Sequence, residues 1–260
     1  MCYYIKRGDI MEKIMDKEAK LFLTFDMLGD LVRSGSLQWK VKRFRTEDVK
    51  DHVFDLILFT KMLKPHFPEY IDTDKMIDYA IVHDLAEVIT GDITAFEGVT
   101  PEEKKKVTAI AIKYLIGEYG SIMNINTVIN EFEEQTTLEA KVMRMLDKVD
   151  SSICFMKYCG EQEVDMDNPE IIEILRTNKD VVRMKNEGMD LGEIFYQWHL
   201  KAVKFSDEEL DKYHITREAA DQITSIIKSL MESIHDQVKD TNKIVAGFPV
   251  EAMTYRDHNL

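Results

Sequence analysis

The sequence predicts an all-α fold: a helical bundle with additional helices on its C-terminal side. Three observations carry this. Apolar residues recur at helical spacing over most of the 260 residues, while the strict alternation of half-buried strands is essentially absent. Only 11 Gly and 5 Pro punctuate the chain, so little interrupts its helices. Strong helix starts stand at Thr100-Pro101-Glu102-Glu103 and Ser206-Asp207-Glu208-Glu209, each a capping hydroxyl answered by a glutamate three residues on.

In chain order, the first helix is expected over roughly 10–34, with Ile14, Leu21, Phe25, Leu28 and Val32 as its apolar stripe and Ser34-Gly35-Ser36 as its break. A second begins near Thr46 or Glu47, carries Val49, Val53, Leu56, Ile57, Phe59 and Leu63, and ends at Pro65 and Pro68. A third spans about 73–90, with Ile77, Ile81, Val82 and Leu85 inward, and stops before Gly91. The Thr100 box opens a helix to about Glu118, and two more follow near 124–135 and 137–158. Past Gly160, helices are expected near 168–186 and 190–204, then after Ser206, then from Thr216 to about 239. Residues 241–260 lose periodicity and read as an extended tail. There is no repeat, low-complexity stretch or convincing linker. Residues 1–160 are therefore expected to form the core, with 161–260 a helical extension packed on the same domain.

The net charge of −14 excludes a nucleic-acid polymer as a natural partner, because the average field repels a polyanion. A small anionic ligand needs a local cationic site. Cys2, Cys154 and Cys159 are odd in number and lack CxxC spacing, which points to a reducing cytoplasm. The N-terminus lacks the apolar region of a signal peptide. No segment reaches the ~18 apolar residues of a membrane span; even Val107–Ile116 is broken by Lys113, so no membrane partner is expected.

The chemistry centres on His83-Asp84, within Met76-Ile-Asp-Tyr-Ala-Ile-Val-His-Asp-Leu-Ala-Glu-Val-Ile-Thr-Gly-Asp92. On a continuous helix these two point in neighbouring directions, and Glu87 falls ~40° from His83 one turn on. Three polar groups on an apolar helix need compensation, and a cation supplies it. His52 sits mid-helix among apolar positions, and so does Asp147 in Val142-Met-Arg-Met-Leu-Asp147-Lys-Val-Asp150. Asp150, one turn later, is an equal candidate. Two imidazoles and two carboxylates from three helices make a mixed site with open positions, suited to Mn, Co, Fe, Ni or Zn rather than Ca. A second dipeptide, His235-Asp236, shows that the pair alone means little.

For phosphate, Lys40-Val-Lys42-Arg43-Phe-Arg45 puts four cations in six residues of an acidic chain. Arg43 and Arg45 suit bidentate phosphate contacts. Lys148 is a further candidate, and Trp39 is suited to stacking on a base or sugar.

In order, these segments resemble the HD superfamily of metal-dependent phosphohydrolases, whose pattern is His … His-Asp … Asp on an all-α fold, and most closely its bacterial 5'-deoxynucleotidases. Arg45-Thr-Glu-Asp-Val-Lys-Asp-His52 resembles the family's approach to its first ligand. Val82-His-Asp-Leu-Ala-Glu87-Val-Ile-Thr-Gly-Asp92 is similar to its second segment, acidic Glu131-Phe-Glu-Glu134 follows suit, and Leu146-Asp147-Lys-Val-Asp150 resembles its last. The likeness spans about 35–160. It implies His52, His83, Asp84 and Asp147 as metal ligands, choosing Asp147 over Asp150. It sets aside His235-Asp236, which has no glutamate four residues after its His and no following Gly-Asp.

The implied activity is release of phosphate from (deoxy)nucleoside 5'-monophosphates, with Glu87 orienting or deprotonating the attacking water. Asp92 protonates the leaving 5'-oxygen or steers the substrate. Those deoxynucleotidases carry an Arg directly before the Trp; this chain has Gln38-Trp39, which leaves the sugar preference open. The alternatives are an HD hydrolase of another phosphoester, such as a dNTP or a cyclic nucleotide, and a catalytically silent nucleotide-binding protein. A homodimer is the expected assembly on base rates.

Overall fold

The computed structural model describes residues 7–31, 47–93, 99–160 and 179–238, and every regular element among them is a helix. Helix α1 covers Arg7–Asp26 and passes into a single 3-10 turn, Met27–Asp30. It ends before the expected Ser34 break. Leu31 is already extended, at φ −95° and ψ 104°. Its carbonyl accepts the Val49 N–H at 3.0 Å, which ties this extended residue to the next helix start. The long-range bond wins over the local signal.

Helix α2 (Val49–Leu63) starts slightly later than Thr46 or Glu47, because Asp48 caps it. The Asp48 carboxylate accepts the Asp51 N–H at 2.8 Å, and Asp51 accepts the Asp48 N–H at 3.3 Å. Pro65 follows the last turn, as expected.

The expected helix over 73–90 is two. Helix α3 is Thr73–Val82, capped by Asp72, and α4 is the single turn Glu87–Thr90. Between them the backbone tightens: Leu85 N–H bonds the Val82 carbonyl at 3.1 Å and Glu87 N–H the Asp84 carbonyl at 2.9 Å, three residues back instead of four. His83, Asp84 and Glu87 therefore do not share one regular helix, and angles drawn on such a helix do not apply. The inward face also differs. Met76, Tyr79, Ala80 and Val82 are buried, while Ile77 and Ile81 sit half-buried on the flank.

Helices α5 (Pro101–Tyr119), α6 (Ile125–Glu133) and α7 (Leu138–Gly160) follow near their expected places. Thr100 closes its box with Glu103 as foreseen. Of the helix expected near 168–186, the described part is α8, Lys179–Asn186. Then come α9 (Leu191–Leu200), α10 (Asp207–Tyr213), opened by the Ser206–Glu209 box, and α11 (Arg217–Val238). The tail past 240 lies outside the described residues.

Helix α7 is the axis of the bundle, with α2, α3, α9 and α11 packed on it. Its burial is correspondingly broad: Ala140, Val142, Met143, Met145, Leu146, Val149, Asp150 and Ser152 all lose contact with water. A helix apolar nearly all round belongs in an interior. Each fully buried large side chain contributes about 1.5–3 kcal/mol, so a polar residue placed there needs a strong reason.

Candidate metal centre

The stripes that build the core also deliver the candidate ligands. On α2 the buried positions run Val49, His52, Leu56, Phe59 and Leu63; on α3 they run Met76, Tyr79 and Ala80 and continue to His83. On α7, Asp147 and Asp150 continue the line of Met143 and Leu146. Each of these four takes a place where the helical period calls for an apolar residue.

The polar tips converge. His52 Nε2 lies 3.2 Å from His83 Nε2, 3.6 Å from Asp84 Oδ2 and 3.5 Å from Asp147 Oδ1. His83 Nε2 lies 3.1 Å from Asp84 Oδ2. Consecutive side chains on a regular helix diverge by about 100°, so the tightened turn at 83–86 fits the way His83 and Asp84 meet.

The outer nitrogens are committed elsewhere. His52 Nδ1 lies 2.5 Å from Asp150 Oδ2, and His83 Nδ1 lies 2.9 Å from the Ala80 carbonyl oxygen. Both partners only accept, so each Nδ1 carries the proton and donates. The two Nε2 atoms then face each other at 3.2 Å, beside two carboxylate oxygens. A divalent cation among them would satisfy all four atoms at once. The residues fit a divalent metal, and His52, His83 and Asp147 are a group that could hold one, with Asp84 alongside. Asp150 is the carboxylate that fixes the His52 ring, a support metal-bound histidines commonly have.

Burial alone would push the Asp84 carboxyl up, but His83 first and then His52 outweigh it and hold the group well below the usual carboxylate range. Burial likewise opposes ionisation of Asp147, and Lys148, then His52, reverse it. Lys148 Nζ stands 3.2 Å from Asp147 Oδ2.

Glu87 opens α4 directly after the tightened turn and is half-buried. Gly91 ends that turn at φ +74°, a conformation in which a side chain would be strained, and so redirects the chain into Asp92. The following residue is tied down: Lys104 Nζ donates to the Ile93 carbonyl at 2.5 Å. Trp39, Arg43 and Arg45 lie outside the described residues. Phe132 went unnoticed in the sequence, yet its ring packs edge-on against His83, centroids 5.4 Å apart. Only a contact between α3 and α6 reveals it.

Helices that turn two imidazoles and two carboxylates onto one buried point define an all-α metal-binding protein. The chain belongs to the HD domain family, whose sequence model matches residues 25–187. It is 31% identical to a 5'-deoxynucleotidase of Saccharomyces cerevisiae over 144 residues, 51% of this chain and 58% of that protein. It is 28% identical to 5'-deoxynucleotidase HDDC2 of Bos taurus over 145 residues, 55% of this chain and 67% of that one. The chain thus spans 58% to 67% of the length of these curated relatives. A crystal structure described as a predicted metal-dependent phosphohydrolase from Magnetospirillum magnetotacticum shares the fold. Its TM-score is 0.51 at 12% identity, over 85% of this chain and 94% of that one.

Proposed function

We propose that the protein is a metal-dependent phosphohydrolase that releases inorganic phosphate from (deoxy)nucleoside 5'-monophosphates. The observation that carries this is the convergence of His52 Nε2, His83 Nε2, Asp84 Oδ2 and Asp147 Oδ1, with both outer imidazole nitrogens already engaged. Membership of the HD domain family and likeness to two proteins named 5'-deoxynucleotidases support it. These four residues would hold a divalent ion of Mn, Co, Fe, Ni or Zn, which would supply acidification of water and polarisation of a phosphoryl oxygen.

The chain's own residues do the rest. Glu87 orients the attacking water and takes its proton. Asp92, placed beyond Gly91, returns a proton to the leaving 5'-oxygen, so that nucleoside and phosphate depart. Lys148, Arg43 and Arg45 offset the substrate's charge, and Trp39 stacks on the base or sugar.

We further propose that residues 161–260 extend the same domain, since α9 and α11 lie on α7. The exposed apolar line Phe54, Leu58 and Met62 on α2 supports a homodimer. The odd, sparse cysteine set suits the cytoplasm. No helix among the described residues is long and apolar enough to cross a membrane.

A phosphate-release screen over nucleotides and metals, with Asp84→Ala as control, tests the proposal. Turnover of monophosphates by the wild type alone is the expected result. Equal turnover by both proteins sinks the metal centre; pyrophosphate or tripolyphosphate release from dNTPs without monophosphate turnover sinks the substrate.

A further inference from the structure

Arg144 stands one turn before Asp147 and Lys148 on α7, so all three share a face. Its guanidinium lies over the Phe132 ring, 4.4 Å from the centroid. The same ring packs against His83 at 5.4 Å. One aromatic ring thus touches both the guanidinium and a candidate ligand histidine.

Two further facts set it apart from the other cations nearby. Lys148 is engaged by Asp147 at 3.2 Å, and Lys104 spends a donor on the Ile93 carbonyl. Arg144 is half-buried, yet no hydrogen bond or ion pair ties its guanidinium to any other described residue. A guanidinium carries five N–H donors in a rigid fork, and none of the Arg144 nitrogens is sealed from solvent, so the fork stands open to a ligand. The acid nearest in effect is Glu133. Crowding by protein atoms pushes its carboxyl up; Arg144 pulls it down, Asp84 pushes it up and His83 pulls it down.

We propose that Arg144 is a substrate-binding residue that grips the terminal phosphate through two of its oxygens, and so favours phosphomonoesters over phosphodiesters. This rests on the phosphohydrolase reading above. A monoester has three non-bridging oxygens. One directed at the metal centre leaves two for a forked, bidentate guanidinium contact. A diester leaves one, and the fork is half used. Stacking on Phe132 fixes the plane of the fork without consuming its donors.

The test uses the full chain loaded with metal, comparing wild type with Arg144→Met and Arg144→Lys. Met keeps apolar cover over Phe132 while removing charge and donors; Lys keeps the charge without the fork. Calorimetric titration with inorganic phosphate reads binding apart from turnover. Arg144→Met is expected to weaken phosphate binding about tenfold or more. It should also raise KM for a nucleoside monophosphate in step, with a smaller change on bis(4-nitrophenyl) phosphate. Arg144→Lys should recover only part of the loss.

Unchanged phosphate affinity in a folded Arg144→Met protein overturns the inference, and so does an equal loss on monoester and diester. If Arg144→Met fails to fold, Arg144→Lys decides: full wild-type phosphate affinity and ester preference overturn the bidentate grip, and a partial loss of both supports it. If the wild type turns over no phosphoester, the phosphohydrolase reading falls by itself, and the titration still reports whether Arg144 binds phosphate.

Discussion

His83-Asp84 and His235-Asp236 are the same dipeptide in two settings. The His83 side chain is 2% exposed and that of His235 21%. His235 lies within the continuous helix α11. Its Nε2 meets Glu193 at 2.8 Å, its Nδ1 faces Asp236 at 3.4 Å, and its ring stacks on Tyr196 at 4.3 Å. Both nitrogens are spent on carboxylates, as in any half-exposed histidine that ties two helices together. His83 spends only Nδ1, on a backbone carbonyl, and turns Nε2 toward a second imidazole and two carboxylates. The dipeptide identifies neither site. The inner nitrogen does, because it faces a second imidazole and carboxylates in an arrangement that could hold a cation.

The largest expected effect separates the two histidines. His83→Gln should lose about 10³-fold or more in kcat/KM for phosphate release, with bound metal falling below one per chain in elemental analysis. His235→Gln should leave both within twofold and lower Tm by about 2–4 °C, the loss of one partly exposed ion pair. Comparable metal loss in both variants would erase the distinction.

A finer contrast lies in the carboxylates behind each ring. Asp150 touches no inner nitrogen, yet Asp150→Asn should weaken metal binding about 10–100-fold by loosening the His52 ring and its tautomer. Glu193→Gln, the matching change at His235, should leave metal affinity untouched. Metal titration of the two variants reads this directly. Wild-type affinity in Asp150→Asn would reduce Asp150 to a buried polar residue with a convenient partner.

Much of this was legible in the residues. The boxes at Thr100 and Ser206 are local chemistry, and they stand where the chain said they would. His52, His83 and Asp147 were legible because each breaks an apolar stripe, Asp84 because it stands beside His83, and their order along the chain matched a known pattern. The division between α3 and α4 was not, since Tyr-Ala-Ile-Val-His-Asp-Leu-Ala-Glu suits a helix throughout and only hydrogen-bond spacing changes. The early end of α1 was hidden for another reason: Leu31 is claimed by Val49, a partner that no window of sequence around Leu31 contains. Asp147 and Asp150 lie one turn apart on one helix, so periodicity could not say which meets the His52 Nε2 and which its Nδ1. Arg144 was read past altogether, because its platform is on another helix.

The smallest expected effect concerns a third kind of polar cluster, one whose needs are met entirely from within. One turn before His83, the Tyr79 hydroxyl donates to Glu131 at 2.6 Å. That spends its proton, so the Thr137 hydroxyl donates to it at 2.9 Å; Lys75 completes the group at 2.9 Å from Glu131. Burial, then the bond to Glu131, pushes the Tyr79 phenol up to about 12. A folded-state value above the unfolded one, near 10, means that the native protein holds this proton more tightly. Its contribution to stability is therefore complete below about pH 10 and is lost as the pH rises toward about 12. Tyr79→Phe should cost about 1–2 kcal/mol at neutral pH, flatten the decline between about pH 10 and 12, and leave metal binding unchanged. Denaturant unfolding at a series of pH values, beside metal titration, tests this. Parallel alkaline loss in both proteins would remove Tyr79 as its source. Metal loss in the variant would show that the cluster serves the centre through Phe132, which lies 6.0 Å from Tyr79 and packs on His83.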